Sequence, residues 1–234
     1  MMTGSVDFTQ GLFGKLRDTS GPIWESYVDH AFVRGVGNGS LPKPAFRRFL
    51  TQDYLFLKHF SRAYGLSVAK STTVADIRAC AAGLQGILDE LPLHVGYCAG
   101  WGISEEMMEA EEEAAETMTY TRFVMDTGMQ GDLLDLLTAL MPCVAGYAEV
   151  GARLLAMPEA SSTANPYATW IANYDSPEYK ASVQLALEKF DSVGQRYGAE
   201  TRLPQLQKIF DTATRLESDF WQMGLNQAGQ AAAA

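Results

Sequence analysis

Apolar residues recur at intervals of three and four along most of this chain, and no two segments alternate apolar and polar positions convincingly as paired β-strands would. The pattern predicts an all-α fold of about eight helices. They run from Phe8 to Asp18, Pro22 to Gly35, Pro42 to Ala69, Val74 to Ala99, Glu105 to Thr127, Asp132 to Met157, Pro177 to Tyr197 and Leu203 to Gln227, with a short piece at Pro166 to Asn173. Local signals punctuate them. Asn165-Pro166 and Ser176-Pro177 each set a capping residue before a proline that the first helical position tolerates, while Gly128, Gly131, Gly198 and the cluster Gly37-Asn38-Gly39 mark breaks. No internal repeat or long linker interrupts the series. A single domain over residues 1–226 is expected, followed by a disordered tail over 227–234 that ends in four alanines and carries no function.

Polar residues on inward faces are the departures from this pattern. Between Asp132 and Met157, the positions Leu136, Leu140, Cys143, Tyr147, Val150 and Leu154 form one stripe, so a thiol and a phenol interrupt an aliphatic face. Pro142 precedes the thiol. A proline inside a helix removes a backbone donor and costs about 3 kcal/mol, so its presence there predicts a local bend. A lone cysteine on such a face is ordinarily a core residue. Carboxylates occupy the same kind of position twice more: Asp53 among Phe49, Phe56 and Phe60, and Glu217 among Phe210, Ala213, Phe220 and Gly224. Burying an unpaired carboxylate is expensive, so each acid must be paired, neutral, or facing a cavity that holds a polar ligand. Tyr120 and Tyr174 are further candidates to line such an interior.

Composition narrows the function classes. The chain has 234 residues, 47% of them hydrophobic, enough for one sizeable core. A net charge of -10, with eighteen scattered Lys and Arg residues, argues against a nucleic-acid partner and against an anionic membrane surface. The first thirty residues hold no continuous apolar run, and the most apolar later stretch is broken by Asp135, Pro142, Glu149 and Arg153, so neither export nor a membrane span is expected. Three cysteines at 80, 98 and 143 supply no disulfide framework and no paired metal knuckle, which fits a cytoplasmic, reducing compartment. Cys80 and Cys98 read as core thiols. The acidic run from Glu105 to Glu116 reads as a solvated helix face.

Five segments carry a family resemblance: Gln-Asp-Tyr-Leu-Phe at 52–56, Thr-Tyr-Thr at 119–121, Leu-Met-Pro-Cys-Val-Ala-Gly-Tyr-Ala-Glu-Val-Gly at 140–151, Trp-Ile-Ala-Asn-Tyr at 170–174 and Leu-Glu-Ser-Asp-Phe-Trp at 216–221. In order and spacing they resemble the TenA family of thiaminase II aminopyrimidine hydrolases, over about residues 8 to 226 and in its cysteine branch. The resemblance implies a single-domain helical bundle with the haem oxygenase-like fold but without haem, usually a homotetramer, acting in thiamin salvage on a small aminopyrimidine or on thiamin. No metal is expected, since no ligand cluster is apparent in the sequence, and no cofactor. Cys143 matches the nucleophile that adds to the pyrimidine ring, Glu217 the general acid and base, and Asp53 the acid that pairs with a ring nitrogen and the 4-amino group. Tyr120, Tyr147 and Tyr174 match orienting tyrosines. Phe56, where some relatives carry Tyr, and Phe220 match residues bordering the ring.

Two other classes stay in view. A haem or di-iron protein of the same architecture should offer histidines at helical spacing to inward carboxylates, whereas His30, His59 and His94 lie in three segments and none completes a Glu-x-x-His pair. A non-catalytic aminopyrimidine-binding or regulatory protein needs neither the thiol nor Glu217.

Overall fold

The computed structural model describes residues 6–233, with side chains up to residue 227. Among the described residues there are eleven helices and no strand, so the chain is all-α. In order they are α1 Gly11–Ser20, α2 Pro22–Val28, α3 Ala31–Gly37, α4 Lys43–Lys70, α5 Val74–Gly100, α6 Glu105–Ala110, α7 Ala115–Gln130, α8 Leu133–Leu155, α9 Ala168–Tyr174, α10 Pro177–Arg196 and α11 Ala199–Ala233. The expected tail at 227–234 falls almost wholly where side chains are outside the described residues.

Two expected helices are each divided in two. The segment expected to run from Pro22 to Gly35 breaks at Asp29 and His30, where His30 takes extended backbone and its Nδ1 accepts the Phe32 N–H at 3.2 Å, capping α3. The segment expected from Glu105 to Thr127 breaks between α6 and α7. There the buried Gln52 side chain of α4 donates to the Glu112 carbonyl at 2.9 Å and accepts from the Ala114 N–H at 2.8 Å and the Thr117 hydroxyl at 2.6 Å. Those bonds satisfy groups that a continuous helix would have paired internally.

Contacts group the chain into two compact units, each assembled from distant segments. The first comprises residues 1–41 and 137–218. Its interior holds Phe13, Trp24 and Phe210, with Trp24 stacked on Phe210 at 5.5 Å and Phe13 edge-on to both. The α1 helix is tied to α10 where the Leu12 N–H donates to Asp191 at 2.6 Å. The second unit comprises residues 42–136 and 219–234. In it α4 packs on α5, α6 and α7, and Phe49 meets both Phe220 and Trp221 of α11. The acidic segment around α6 is exposed, as expected, and also pairs with α4 through Lys58–Glu109 at 2.6 Å and Arg48–Glu111 at 2.5 Å. By length and composition α8 could cross a bilayer, but 89% of its apolar window is buried inside the protein, where a core helix needs the same composition.

Candidate active site

The residues singled out from sequence fall in both units, four in each. Cys143, Tyr147, Tyr174 and Glu217 belong to the first; Asp53, Phe56, Tyr120 and Phe220 belong to the second.

On α8 the expected stripe is real. Leu136, Leu140, Tyr147, Val150 and Leu154 are buried, and Cys143 is the member of the stripe that keeps partial exposure. A nucleophile must be reachable, and a purely structural thiol at this position would be enclosed like its neighbours. Pro142 lies within the helix. The peptides on either side of Cys143 are held by phenols from other helices: Tyr27 Oη donates to the Pro142 carbonyl and Tyr179 Oη to the Val144 carbonyl, each at 3.4 Å.

Two glycines of the same segment explain how those helices approach. A Cβ on Gly146 would stand 2.3 Å from the Tyr27 ring, and one on Gly151 would stand 3.0 Å from the Tyr174 backbone. With α9 drawn in, Tyr147 and Tyr174 have ring centroids 5.0 Å apart, Trp170 lies 4.7 Å from Tyr174, and Tyr179 stands edge-on to Tyr174 at 5.1 Å. The result is a cluster of phenols on and around the helix that bears the thiol. Glu217 is 2% exposed on α11, among the equally buried Phe210 and Ala213.

Glu149 plays a separate part. Its buried carboxylate accepts from Arg17 Nε and Nη2 at 2.8 Å, from Trp24 Nε1 at 3.0 Å and from Arg153 Nη2 at 2.6 Å. Burial alone would raise its pKa, but the hydrogen bonds from Arg17 and Arg153 outweigh that and hold it below the ordinary value. It is a saturated anion that anchors α8 to α1 and α2.

In the second unit Phe56 meets Tyr120 at 5.0 Å, Phe220 at 5.7 Å and Phe60 at 5.2 Å, all four being buried. Asp53 lies one turn before Phe56 on α4 and is 5% exposed. Burial pushes its carboxyl up to about 7. Three residues missed in the sequence reading surround it electrostatically. His94 Nδ1 lies 3.5 Å from Asp53 Oδ2, Glu90 is pushed up to about 7 by burial and then by the charge of Asp53, and Cys98 is pushed up to about 12 by burial and then by the same charge. The signal was present: Glu90, His94 and Cys98 are spaced four apart on one face of α5.

The chemistry available is therefore of two kinds. The first unit offers a partly exposed thiol on α8, a helix that phenols surround, and a buried acid on α11. The other offers an aromatic wall and a carboxyl group poised between protonation states, able to present one donor and one acceptor to a planar polar edge. Among the described residues no three His, Cys, Asp or Glu side chains are placed to hold a metal ion.

The model of the TENA/THI-4/PQQC family matches residues 17–227. An aminopyrimidine aminohydrolase from Halalkalibacterium halodurans is 36% identical over 224 residues, covering 95% of this chain and 97% of that protein. A solved structure from Silicibacter, described as a TenA family transcription regulator, is 45% identical with a TM-score of 0.85 and coverage of 91% and 96%. A domain from Shewanella denitrificans described as having a haem oxygenase-like fold aligns with a TM-score of 0.70 at 12% identity, covering 97% of this chain and 95% of that one, a likeness of fold alone.

Proposed function

Since the chain belongs to the TENA/THI-4/PQQC family, we propose that it is a thiaminase II-type aminopyrimidine aminohydrolase of thiamin salvage, working through Cys143 in a reducing compartment. The observation that carries this reading is the partly exposed Cys143 on an otherwise buried stripe that also bears Tyr147, whose ring meets that of Tyr174. The substrate is 4-amino-5-aminomethyl-2-methylpyrimidine. Cys143 sulfur adds to ring C6 while a ring nitrogen takes up a proton. The electron-rich ring then expels the amino group, which leaves as ammonia with a proton relayed by Glu217. Water adds to the exocyclic methylene, the C6–S bond breaks, and the hydroxymethylpyrimidine and free thiol are released. One water is consumed and no redox change occurs. Asp53 holds the ring through the 4-amino group and the neighbouring ring nitrogen, and Phe56 and Phe220 border its face.

Thiamin is the slower substrate, because bulky aromatic side chains at 56 and 220 leave less room for its thiazolium. A higher specificity constant for thiamin refutes that preference. The reading as a whole is tested with Cys143→Ser. Hydrolysis of the aminomethylpyrimidine, followed by mass spectrometry, is expected to fall below a hundredth of the unmodified rate, with binding kept. Retention of more than a tenth of the rate rejects covalent catalysis by Cys143.

A regulatory reading has one observation in its favour, the description given to the Silicibacter neighbour. Turnover of the aminomethylpyrimidine by the purified protein decides against it. The homotetramer also belongs to this proposal. Its support is the outward side of α5, where Leu88 and Leu93 are 45% and 74% exposed on a helix otherwise rich in Ala and Gly. Sedimentation velocity is expected to give a tetramer, and a monomer at micromolar concentration overturns this part.

A further inference from the structure

The α8 helix is weakened next to Cys143. A proline has no N–H, so no helical hydrogen bond runs from residue 142 to the Thr138 carbonyl, and the turn that ends at Cys143 lacks one of its ties. Packing anchors the helix on either side, at the buried Leu140 and Tyr147, while Cys143 itself is only partly enclosed. The two phenols that reach its neighbours stand on rigid supports. Tyr27 is fully buried and edge-on to Trp24 at 5.5 Å, and Trp24 Nε1 donates in turn to Glu149 at 3.0 Å. The missing Cβ of Gly146 gives the Tyr27 ring room against α8. Tyr179 stands in the first turn of α10, where Ser176 Oγ accepts the Tyr179 N–H at 3.2 Å and Lys180 pairs with Asp175 at 2.5 Å. Phenylalanine would fill both ring positions equally well. Only the hydroxyls reach α8, one at the Pro142 carbonyl and one at the Val144 carbonyl, each at 3.4 Å. At that length each is a weak hydrogen bond, so their worth lies in where they act: on the residues before and after Cys143, from two different helices.

We infer that Tyr27 and Tyr179 are positioning residues: their hydroxyls clamp the Pro142–Val144 turn of α8, so that the Cys143 sulfur keeps one bearing toward the ring carbon it attacks. Covalent addition needs the reacting atoms about 3–3.5 Å apart and aligned, and a shift of about 1 Å costs on the order of 10² in rate. A turn loosened by proline holds such a bearing less well by itself. The clamp restores from outside the restraint that the missing backbone bond removes. Neither phenol touches the substrate or moves a proton in this role.

This rests on the reading of Cys143 as the nucleophile of an aminopyrimidine hydrolase, but its first test needs no substrate. In the helical pattern the N–H groups of Gly146 and Ala148 share the Pro142 and Val144 carbonyls, so their hydrogen exchange in the intact protein reports on the clamp. Exchange at Gly146 is expected to quicken about fivefold in Tyr27→Phe, and at Ala148 in Tyr179→Phe, with the amides of α4 unchanged. Unchanged exchange at both positions, or an equal rise throughout the protein, overturns the clamp. The second test is turnover of 4-amino-5-aminomethyl-2-methylpyrimidine under conditions in which every variant is fully folded. Each single variant is expected to lose about threefold to tenfold in kcat at unchanged KM, and the double variant more than either. A purely structural pair would lower the urea midpoint and leave kcat as it was. That result, or a loss that appears in KM alone, overturns the positioning role. If the unmodified protein turns nothing over, the aminopyrimidine reading fails while the clamp is still decided by exchange.

Discussion

Replacing Asp53 by Asn should make the protein more stable and less able to bind its ligand. In the folded chain the Asp53 carboxyl sits at about 7 and in the unfolded chain near 3.8, so the fold prefers the protonated acid. For an acid raised in this way, the unfolded state gives up the proton first. Stability therefore declines as pH rises from about 3.8, and the decline ends once the folded form also ionises near 7. At 1.36 kcal/mol per pH unit the full separation is worth about 4 kcal/mol. Asn cannot ionise and escapes this cost. Its carboxamide can donate to His94 Nδ1, but its remaining polar atoms must find partners in a buried place, which takes back about 1–3 kcal/mol at every pH. The pH-dependent part is the sharper measure. Urea denaturation is expected to show Asp53→Asn improving relative to the unmodified protein by about 2.5 kcal/mol between pH 5 and pH 8. Relief of Glu90, whose carboxyl is raised partly by the charge of Asp53, acts in the same direction. Affinity for the aminopyrimidine should fall by about 2–4 kcal/mol at pH 8, where Asp53 is ionised and its contact with the ring edge is charge-assisted. A stability difference that is the same at both pH values, or an advantage for Asp53 at pH 8, would refute the reasoning.

Three further outcomes are expected. Glu217→Gln should lower turnover by roughly 10²–10⁴ and remove one limb of the pH profile while the melting temperature holds, whereas a destabilised protein with an unaltered profile would mean that Glu217 is structural. Glu149→Gln should cost roughly 2–3 kcal/mol, since it strips the charge that pairs Arg17 and Arg153 inside the fold. Because the pKa of Glu149 is depressed on folding, its contribution is present above the unfolded value of 4.5 and lost as pH falls through the lower folded value, so the deficit measured in urea should shrink in acid. Gly146→Ala places a Cβ against the Tyr27 ring and should destabilise by about 1–3 kcal/mol, and a variant with an unchanged urea midpoint would show that the ring moves aside at no cost.

Much of this protein was legible from local pattern, because helical period, proline and glycine act within a few residues of where they stand. The inward stripes on α4, α8 and α11 were read in the right phase, and Asp53, Tyr147 and Glu217 lie buried on them. The motifs around Cys143 and Glu217 pointed to the family whose model matches residues 17–227. Tertiary structure decided the rest, wherever a partner far along the chain settles a local choice. Nothing near residues 111–114 announces a break; Gln52, sixty residues away, holds it open by bonding the backbone there. Gly146 and Gly151 look like helix-weakening residues in sequence and prove to be the clearances through which Tyr27 and Tyr174 approach α8. His94 looked like an unremarkable histidine, because its spacing to Glu90 and Cys98 acquires meaning only when α5 lies against α4 and turns that face toward Asp53. A period describes one helix at a time, and the protonation of a buried acid depends on what a second helix brings to it.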